Sequence, residues 1–200
     1  GIFGKLYHAS EAACLDRGVR FFLTVTNEAS TPIFLGRFGY ERSPAPRMAI
    51  LPPAFGGVPR LDPQAPLIGQ DAPRATAWGV QKDAAHLRWR YVEHPLKEYI
   101  IVHVGTPNEE LGWLFLKRIT KMGLPMLLLM DLAPAARGAE VALLKMARRL
   151  IVRHGSVALL VLHEAWLEPA LAREGGMHRS SGFNLLVKGQ DAVATRLLRD

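Results

Sequence analysis

Apolar residues recur along the chain with two spacings, one typical of helices and one typical of strands. Steps of three and four residues predict helices over 3–17, 31–38, 83–91, 139–154 and 166–174. Short runs rich in β-branched, leucine or aromatic residues predict strands over 19–26, 47–51, 98–104, 110–117, 124–130, 157–162 and 183–187. The mixture predicts an α/β (α+β) fold.

The order of these elements repeats along the chain. In 3–40 and again in 139–187, a helix, a glycine, a buried strand and a short helix are followed by a second glycine and a further strand. The repeat lies in element order and not in residue identity. Eight of the 14 prolines stand from Pro44 to Pro73 between the two copies. This composition predicts a connection at 43–82 between a unit at 1–42 and a unit at 83–200.

Composition narrows the class of protein. With 200 residues, 49% hydrophobic and 22% charged, the chain can fold around a proper core. The single cysteine, Cys14, cannot form an internal disulfide, and its place within a helix favours a core residue over a nucleophile. No apolar run is long enough to span a bilayer and no signal peptide opens the chain, so a cytoplasmic protein without a membrane span is predicted. The histidines show no metal-ligand spacing, and no metal is predicted.

The net charge of +7 permits an anionic partner, either a nucleic acid or a phosphorylated small molecule. Four basic residues line one side of the predicted helix at 139–154, namely Lys145, Arg148, Arg149 and Arg153. They fit the solvated face of an amphipathic helix. Binding of nucleic acid favours basic residues that alternate with aromatic ones, and this pattern occurs only at Arg88–Tyr91. Nucleic acid is therefore the less favoured partner. The pair His163-Glu164 ends a predicted strand. It could contact a substrate there, but a polar strand end that reaches solvent is the favoured interpretation.

Two segments are candidates for ligand binding. Gly1-Ile2-Phe3-Gly4 stands at a helix start, where free N–H groups and glycines suit a phosphate, although glycines are also ordinary turn residues. Asn27 follows a strand and could offer its amide to a ligand, or it could form an Asx-turn or a helix cap.

Together these segments resemble the second half of a GNAT acyl-CoA N-acyltransferase domain. The family has a glycine-rich loop, a helix, a strand, Asn-x-x-Ala/Ser, an aromatic residue and a Gly-aromatic pair, in that order. Gly1 matches the loop glycine, and Phe3 stands where the family has Gly or Ala. The remaining matches are Asn27, Ser30, the aromatic Phe34 and the pair Gly39-Tyr40.

The resemblance implies an activity and its co-substrate. Acetyl-CoA or another acyl-CoA would be bound by the residues Gly1, Ile2, Phe3, Gly4, Asn27 and Ser30. A primary amine of a small-molecule acceptor would attack the thioester carbonyl, a strand amide would stabilise the oxyanion, and the CoA thiolate would leave. The position that often holds a tyrosine acid is Phe34, which has no proton to donate, so the catalytic residues are unassigned, with Tyr40 and Glu28 as candidates.

The resemblance also implies a tandem arrangement. The family's basic residue and first loop positions would precede Gly1, so a bacterial two-part GNAT protein, truncated at its N-terminus, is expected. The segment Trp89–Tyr91, with His94-Pro95 and Tyr99, is similar to part of such proteins, which makes the second half a degenerate GNAT-like unit. The stretch from Asp131 to Gly138 lacks Gly-x-Gly and begins with an acid that would repel pyrophosphate. The second unit is therefore expected to bind no CoA, to pack on the first and to shape the acceptor site.

Two alternatives come from other classes of protein. A GNAT-derived module that has lost catalysis could serve as a binding or regulatory partner, and Phe34 favours this alternative. A basic nucleic-acid-binding module is the third hypothesis.

Overall fold

The structure, a computed structural model, describes residues 1–44, 47–57, 82–95, 98–106, 109–136, 138–162 and 165–189. The helices of this part of the chain are α1 (Ile2–Asp16), α2 (Thr31–Phe38), α3 (Ala84–Leu87), α4 (Glu140–Arg153) and α5 (Glu168–Arg173). The strands are β1 (Phe21–Thr26), β2 (Glu41–Arg42), β3 (Arg47–Leu51), β4 (Tyr99–Thr106), β5 (Glu109–Lys121), β6 (Leu124–Pro134), β7 (Leu159–Leu162), β8 (Met177–Ser180) and β9 (Asn184–Gly189).

The predicted α/β class is confirmed, and each predicted helix and strand has a counterpart. The helix predicted over 83–91 is α3 followed by a π-helical turn, Arg88–Val92. Strands β2 and β8 were not predicted, because Glu41–Arg42 and Met177–Ser180 are short and have no apolar alternation. Most of the predicted connection, 58–81, lies outside the described residues, as does the pair His163-Glu164.

The described residues form two compact units. The first unit contains the described residues of 1–46 and of 180–200, and its sheet has the strand order β1-β9-β2. The second unit contains those of 47–179, and its sheet has the order β4-β5-β6-β7-β3-β8. These units differ from the bounds predicted from the sequence, since β3 falls in the second unit and β9 in the first.

The repeat predicted from element order is present and includes an exchange of strands. The series α1-β1-α2-β2-β3 corresponds to α4-β7-α5-β8-β9. The last strand of each series lies in the sheet of the other unit, between two strands of the other series. Strand β9 pairs antiparallel with β1 and β2, and β3 pairs antiparallel with β7. Each sheet therefore needs a strand from the other half of the sequence.

The strands before and after α4 in the chain, β6 and β7, are parallel neighbours in the sheet of the second unit. Strand β6 pairs antiparallel with β5 along its whole length, but its parallel pairing with β7 covers only Leu127–Leu129 against Leu159–Val161. A register shift between Phe115 and Leu116 in β5 marks an irregularity opposite β6. The apolar face of α4 is buried against this sheet, as its spacing predicts, through Leu143, Leu144, Met146, Ala147, Leu150 and Ile151.

Two predictions about helix faces need correction. In α1 the apolar residues at helical spacing are largely exposed, since Phe3, Leu6 and Leu15 are exposed, and Cys14, predicted as a core residue, is only half-buried. A helix packed on one side by few neighbours leaves part of an apolar stripe uncovered.

The basic side of α4 is solvated only in part. Lys145 and Arg153 are exposed, as predicted. Arg148 instead pairs with Glu174 at 2.5 Å and donates a hydrogen bond to the Pro52 carbonyl oxygen at 2.9 Å. Arg149 likewise donates to the carbonyl oxygen of Gly57 at 2.9 Å. These arginines hold neighbouring segments of the second unit, so the stripe is not a uniform cationic surface.

Candidate functional site

The first turn of α1 has neither a side-chain cap nor an acidic residue. Gly1 is the N-cap of this helix. Gly1, Ile2 and Phe3 are exposed. The first N–H groups of a helix have no partner within it, and together they carry the positive end of the helix dipole. An anion at this end would therefore gain hydrogen bonds and meet no opposing charge from the first turn.

A cationic side chain, which the sequence analysis missed, lies beside this turn. The exposed Arg37, near the end of α2, has its guanidinium against Gly4, where a Cβ atom would come within 3.1 Å of Arg37 Nη2. The ring of Phe3 packs edge-on against Phe38 of α2, with centroids 5.8 Å apart. Nothing in the sequence links Arg37 to the start of α1, because the two are brought together only by packing of α1 on α2.

Asn27 and Ser30 lie together after β1 and bind one another. Asn27 Oδ1 accepts hydrogen bonds from Ser30 N and Ser30 Oγ, both at 3.0 Å. The Asn27 carbonyl oxygen accepts from Thr31 N at 3.0 Å and from Thr31 Oγ1 at 2.6 Å. Asn27 therefore bonds locally, to the amide three residues on and not to the one two residues on that an Asx-turn uses. Its side-chain oxygen is occupied, and within the described part of the chain nothing accepts a hydrogen bond from Asn27 Nδ2.

Phe34 and Tyr40 belong to an aromatic cluster between α1 and α2. Their ring centroids are 5.3 Å apart, and Tyr40 is 6% exposed. Tyr7 OH lies 3.1 Å from Tyr40 OH and 3.1 Å from Glu11 Oε1. Tyr40 is thus a packing residue with its hydroxyl bonded inside the unit, and Phe34, half-buried beside it, contributes only its ring.

Burial, together with the hydrogen bond to Tyr40, raises the pKa of Tyr7 far above its usual value. Burial would also raise the pKa of Glu11, but hydrogen bonds from Lys188 and Tyr7 outweigh it and hold that pKa below its usual value. Tyr7 therefore keeps its proton and Glu11 keeps its charge near neutral pH, so this chain of groups is an internal structural network.

The second candidate for catalysis, Glu28, lines an open cleft of about 440 Å³ in the first unit. Two further polar residues of the cleft, Arg42 and Asn184, were not predicted from the sequence, and they bind each other at 3.0 Å. No sequence signal could have paired them, because they stand 142 positions apart in the chain and the contact depends on the exchanged strand β9.

The start of α4 in the second unit, which corresponds to the start of α1, carries negative charge. Glu140, the first residue of α4, is 8% exposed and puts a carboxylate in the first turn of that helix. Asp131, also 8% exposed, is paired with Lys82 Nζ at 2.9 Å. Negative charge near a helix N-terminus stabilises the helix and disfavours a second anion there.

Two observations on the described residues concern metal sites and membrane-spanning helices. No group of three or more His, Cys, Asp or Glu in the part of the chain that the structure describes is arranged to hold a metal ion. No helix described by the structure has both the length and the apolarity that crossing a membrane requires.

Comparison with known proteins identifies the fold. No protein-family model matches the sequence, and no curated protein matches it. Among solved structures, the chain is similar to a GCN5-related N-acetyltransferase from Anabaena variabilis, with a TM-score of 0.54 and 9% identity over 96% of this chain and 51% of that one. It is also similar to a probable N-acyltransferase from Enterococcus faecalis, with a TM-score of 0.48 and 12% identity over 89% of this chain and 47% of that one.

The first of these similarities shows that the chain has the fold of the GCN5-related N-acetyltransferases, as the resemblance implied. The chain spans about half the length of both proteins. At this identity the likeness concerns the fold, and the activity has to be argued from the site.

Proposed function

We propose that the protein is an acyl-CoA-dependent N-acyltransferase, which transfers an acetyl or other acyl group from CoA to a primary amine of a small molecule. The observation that carries the proposal is the N-terminus of α1, where uncapped N–H groups and the Arg37 guanidinium stand side by side. This arrangement supports a site for the CoA pyrophosphate in the first unit.

The residues around the first turn of α1 suit a pyrophosphate in charge. Helix N–H groups can each donate to a phosphate oxygen, and a guanidinium can bind two oxygens at once. The first turn carries no acid that would oppose this charge. Phe3, which stands where the family has a small residue, has its ring against Phe38, so we expect its side chain to leave the N–H groups accessible.

Asn27 would hold the next part of the CoA molecule. Its Oδ1 is occupied by Ser30, so its free group is the Nδ2 amide, a donor suited to a pantetheine carbonyl oxygen. Ser30 in this proposal positions Asn27 and does not itself need to touch CoA. The acyl-CoA would supply the activated acyl group, and the chain would bind and orient it for attack by the amine.

The second unit is proposed to bind no CoA. Glu140, the first residue of α4, corresponds to Ile2, the first residue of α1, and puts a carboxylate in a turn that has no acid in the first unit. A carboxylate there disfavours an anionic ligand. The second unit would then contribute support and acceptor specificity.

Substitution of Arg37 tests the proposed pyrophosphate site. Calorimetry with CoA and acetyl-CoA should show binding by the wild-type protein and an affinity about 10- to 100-fold lower for Arg37→Ala, since a charge-assisted hydrogen bond contributes about 1.5–3 kcal/mol. Arg20→Ala is the matched control, because Arg20 is also an exposed arginine of the first unit but precedes β1. Its affinity for CoA should equal that of the wild-type protein.

The absence of binding at millimolar acetyl-CoA would refute the acyltransferase proposal. Equal affinities for Arg37→Ala and Arg20→Ala would instead refute the proposed place of the pyrophosphate.

The alternative function, a binding or regulatory module without catalysis, has one observation in its favour. Phe34 occupies the family's acid position, and the neighbouring phenol of Tyr40 is buried and hydrogen-bonded to Tyr7. A protein that binds acetyl-CoA but releases no CoA thiol in the presence of a broad set of amines would support this alternative.

A further inference from the structure

The first unit has an open cleft with polar and apolar residues in its wall. Its wall includes Glu28, Thr31, Pro32, Arg42, Phe183 and Asn184, and its volume is about 440 Å³. This size is in the range of small-molecule sites, which combine a few fixed polar groups with apolar walls. The cleft has both, since Phe183 and Pro32 stand beside the polar residues.

A chain of hydrogen bonds fixes the guanidinium of Arg42 in the wall. Arg42 Nη1 donates to Asn184 Oδ1 at 3.0 Å, and Asn184 Nδ2 donates to Thr31 Oγ1 at 3.0 Å. Thr31 Oγ1 lies 2.7 Å from Thr26 Oγ1, and both threonines are at most 5% exposed. Two buried hydroxyls therefore orient Asn184, and Asn184 orients Arg42.

This arrangement leaves specific groups for a ligand. Asn184 occupies one Nη of Arg42, so the other Nη and the Nε atom remain as donors, a pair suited to a carboxylate. The partner of Arg42 is a neutral amide, and among the described residues no acidic side chain pairs with it. Glu28 is exposed on the same cleft, and within the described part of the chain no basic side chain pairs with it.

We propose that this cleft binds a small zwitterion, an amino acid or a closely related amine that carries a carboxylate. The carboxylate would bind Arg42, the ammonium group would lie near Glu28, and the apolar part would contact Phe183 and Pro32. The binding of this ligand is independent of the proposed acyltransferase function. Its role as the acyl acceptor rests on that function.

Three ligands that share a phenethyl group test the pattern of charges. L-Phenylalanine has both charged groups, 3-phenylpropanoate lacks the ammonium group, and phenethylamine lacks the carboxylate. NMR titration of the whole protein without CoA should show L-phenylalanine binding about 10-fold or more tightly than phenethylamine, which loses the charge-assisted hydrogen bonds to Arg42. It should bind up to about 5-fold more tightly than 3-phenylpropanoate, because an exposed charge pair with Glu28 contributes at most about 1 kcal/mol. Arg42→Gln should remove the preference for L-phenylalanine over phenethylamine, and Glu28→Gln should remove the preference over 3-phenylpropanoate.

Arg20→Gln serves as the control, since it removes an exposed arginine of the first unit that does not line the cleft, and it should keep both preferences. Equal binding of the three ligands, binding of 3-phenylpropanoate alone, or an Arg42→Gln protein that behaves like the wild type would each overturn the proposal. CoA calorimetry on the same samples separates the two claims. Amino-acid binding without CoA binding would refute the proposed acyltransferase function and leave the proposed amino-acid site intact. CoA binding without amino-acid binding would refute only the amino-acid site.

Discussion

Replacement of Gly112 by alanine is expected to destabilise the second unit by more than about 4 kcal/mol, because it combines backbone overlap with strain at a positive φ. Gly112 in β5 has φ of +127° and faces Pro134 of β6. A Cβ atom there would lie 2.1 Å from the Ala133 carbonyl oxygen and 2.9 Å from the amide nitrogen of Ala135. All these neighbours are backbone, so relief requires the two strands to separate.

Strand separation at this point would disrupt further interactions. The hydrogen bond from Ala135 N to the Leu111 carbonyl oxygen, 3.0 Å long, lies beside Gly112. The adjoining residues Trp113, Phe115 and Ala133 are buried in one cluster with Tyr91. Urea unfolding followed by tryptophan fluorescence should show the shift of the transition midpoint.

Gly57→Ala is the control for Gly112→Ala. Gly57 lies in the same unit, has no atom within 4 Å of a Cβ position, and has φ outside the positive range that strains other residues. Its substitution should change stability by less than about 0.5 kcal/mol. If Gly112→Ala unfolds at the same urea concentration as Gly57→Ala, strands β5 and β6 do not approach each other as the structure describes.

Asp131→Ala should destabilise the protein by about 3–5 kcal/mol, the usual effect of breaking a buried ion pair from one side. Asp131 accepts hydrogen bonds from Lys82 Nζ at 2.9 Å, from Tyr91 OH at 3.3 Å and from Leu132 N at 2.9 Å. Burial, followed by the charge of Asp131, raises the pKa of Tyr91 well above its usual value. Alanine would leave the ammonium group and the phenol without the acceptor that they share.

A double variant separates the ion pair from simple loss of packing. In Asp131→Ala/Lys82→Met the cation is removed along with its partner, so the protein should be more stable than Asp131→Ala alone. Asp16→Ala, at the exposed end of α1, is the control for removal of a carboxylate and should have little effect. An Asp131→Ala protein as stable as Asp16→Ala would contradict the buried pair, as would a double variant less stable than Asp131→Ala.

The elements that the sequence predicts well are those whose own side chains decide the structure. The spacing of Leu144, Ala147 and Leu150 defines the buried face of α4, and the apolar run from Leu124 defines β6. Likewise the pattern Asn27–Ser30 predicts a turn followed by α2, which local hydrogen bonds then form. In each case the interactions are local, or they follow from hydrophobicity alone.

Features that depend on distant pairing could not be predicted. The exchange of β3 and β9 between the units cannot be seen in the sequence of either strand, because the pattern of apolar residues predicts a strand but not the sheet that it joins. The contact of Arg37 with Gly4 likewise depends on the packing of α1 on α2, and the hydrogen bond from Arg42 to Asn184 depends on the position of β9. The glycines and Asn27 of the candidate site were therefore proposed from the sequence alone, whereas its cations, Arg37 and Arg42, could not be.

The central claim, that CoA binds at the first unit and not at the second, is tested most directly by hydrogen exchange of the amides at the two helix starts. At saturating acetyl-CoA, fast-mixing exchange should show slowed exchange at residues 2–4 of α1 and at Asn27, because bound phosphate and pantetheine would cover them. Residues 140–143 of α4 should exchange at the same rate with and without acetyl-CoA. Slowed exchange at 140–143 with none at 2–4, or no change at either helix start, would contradict the claim.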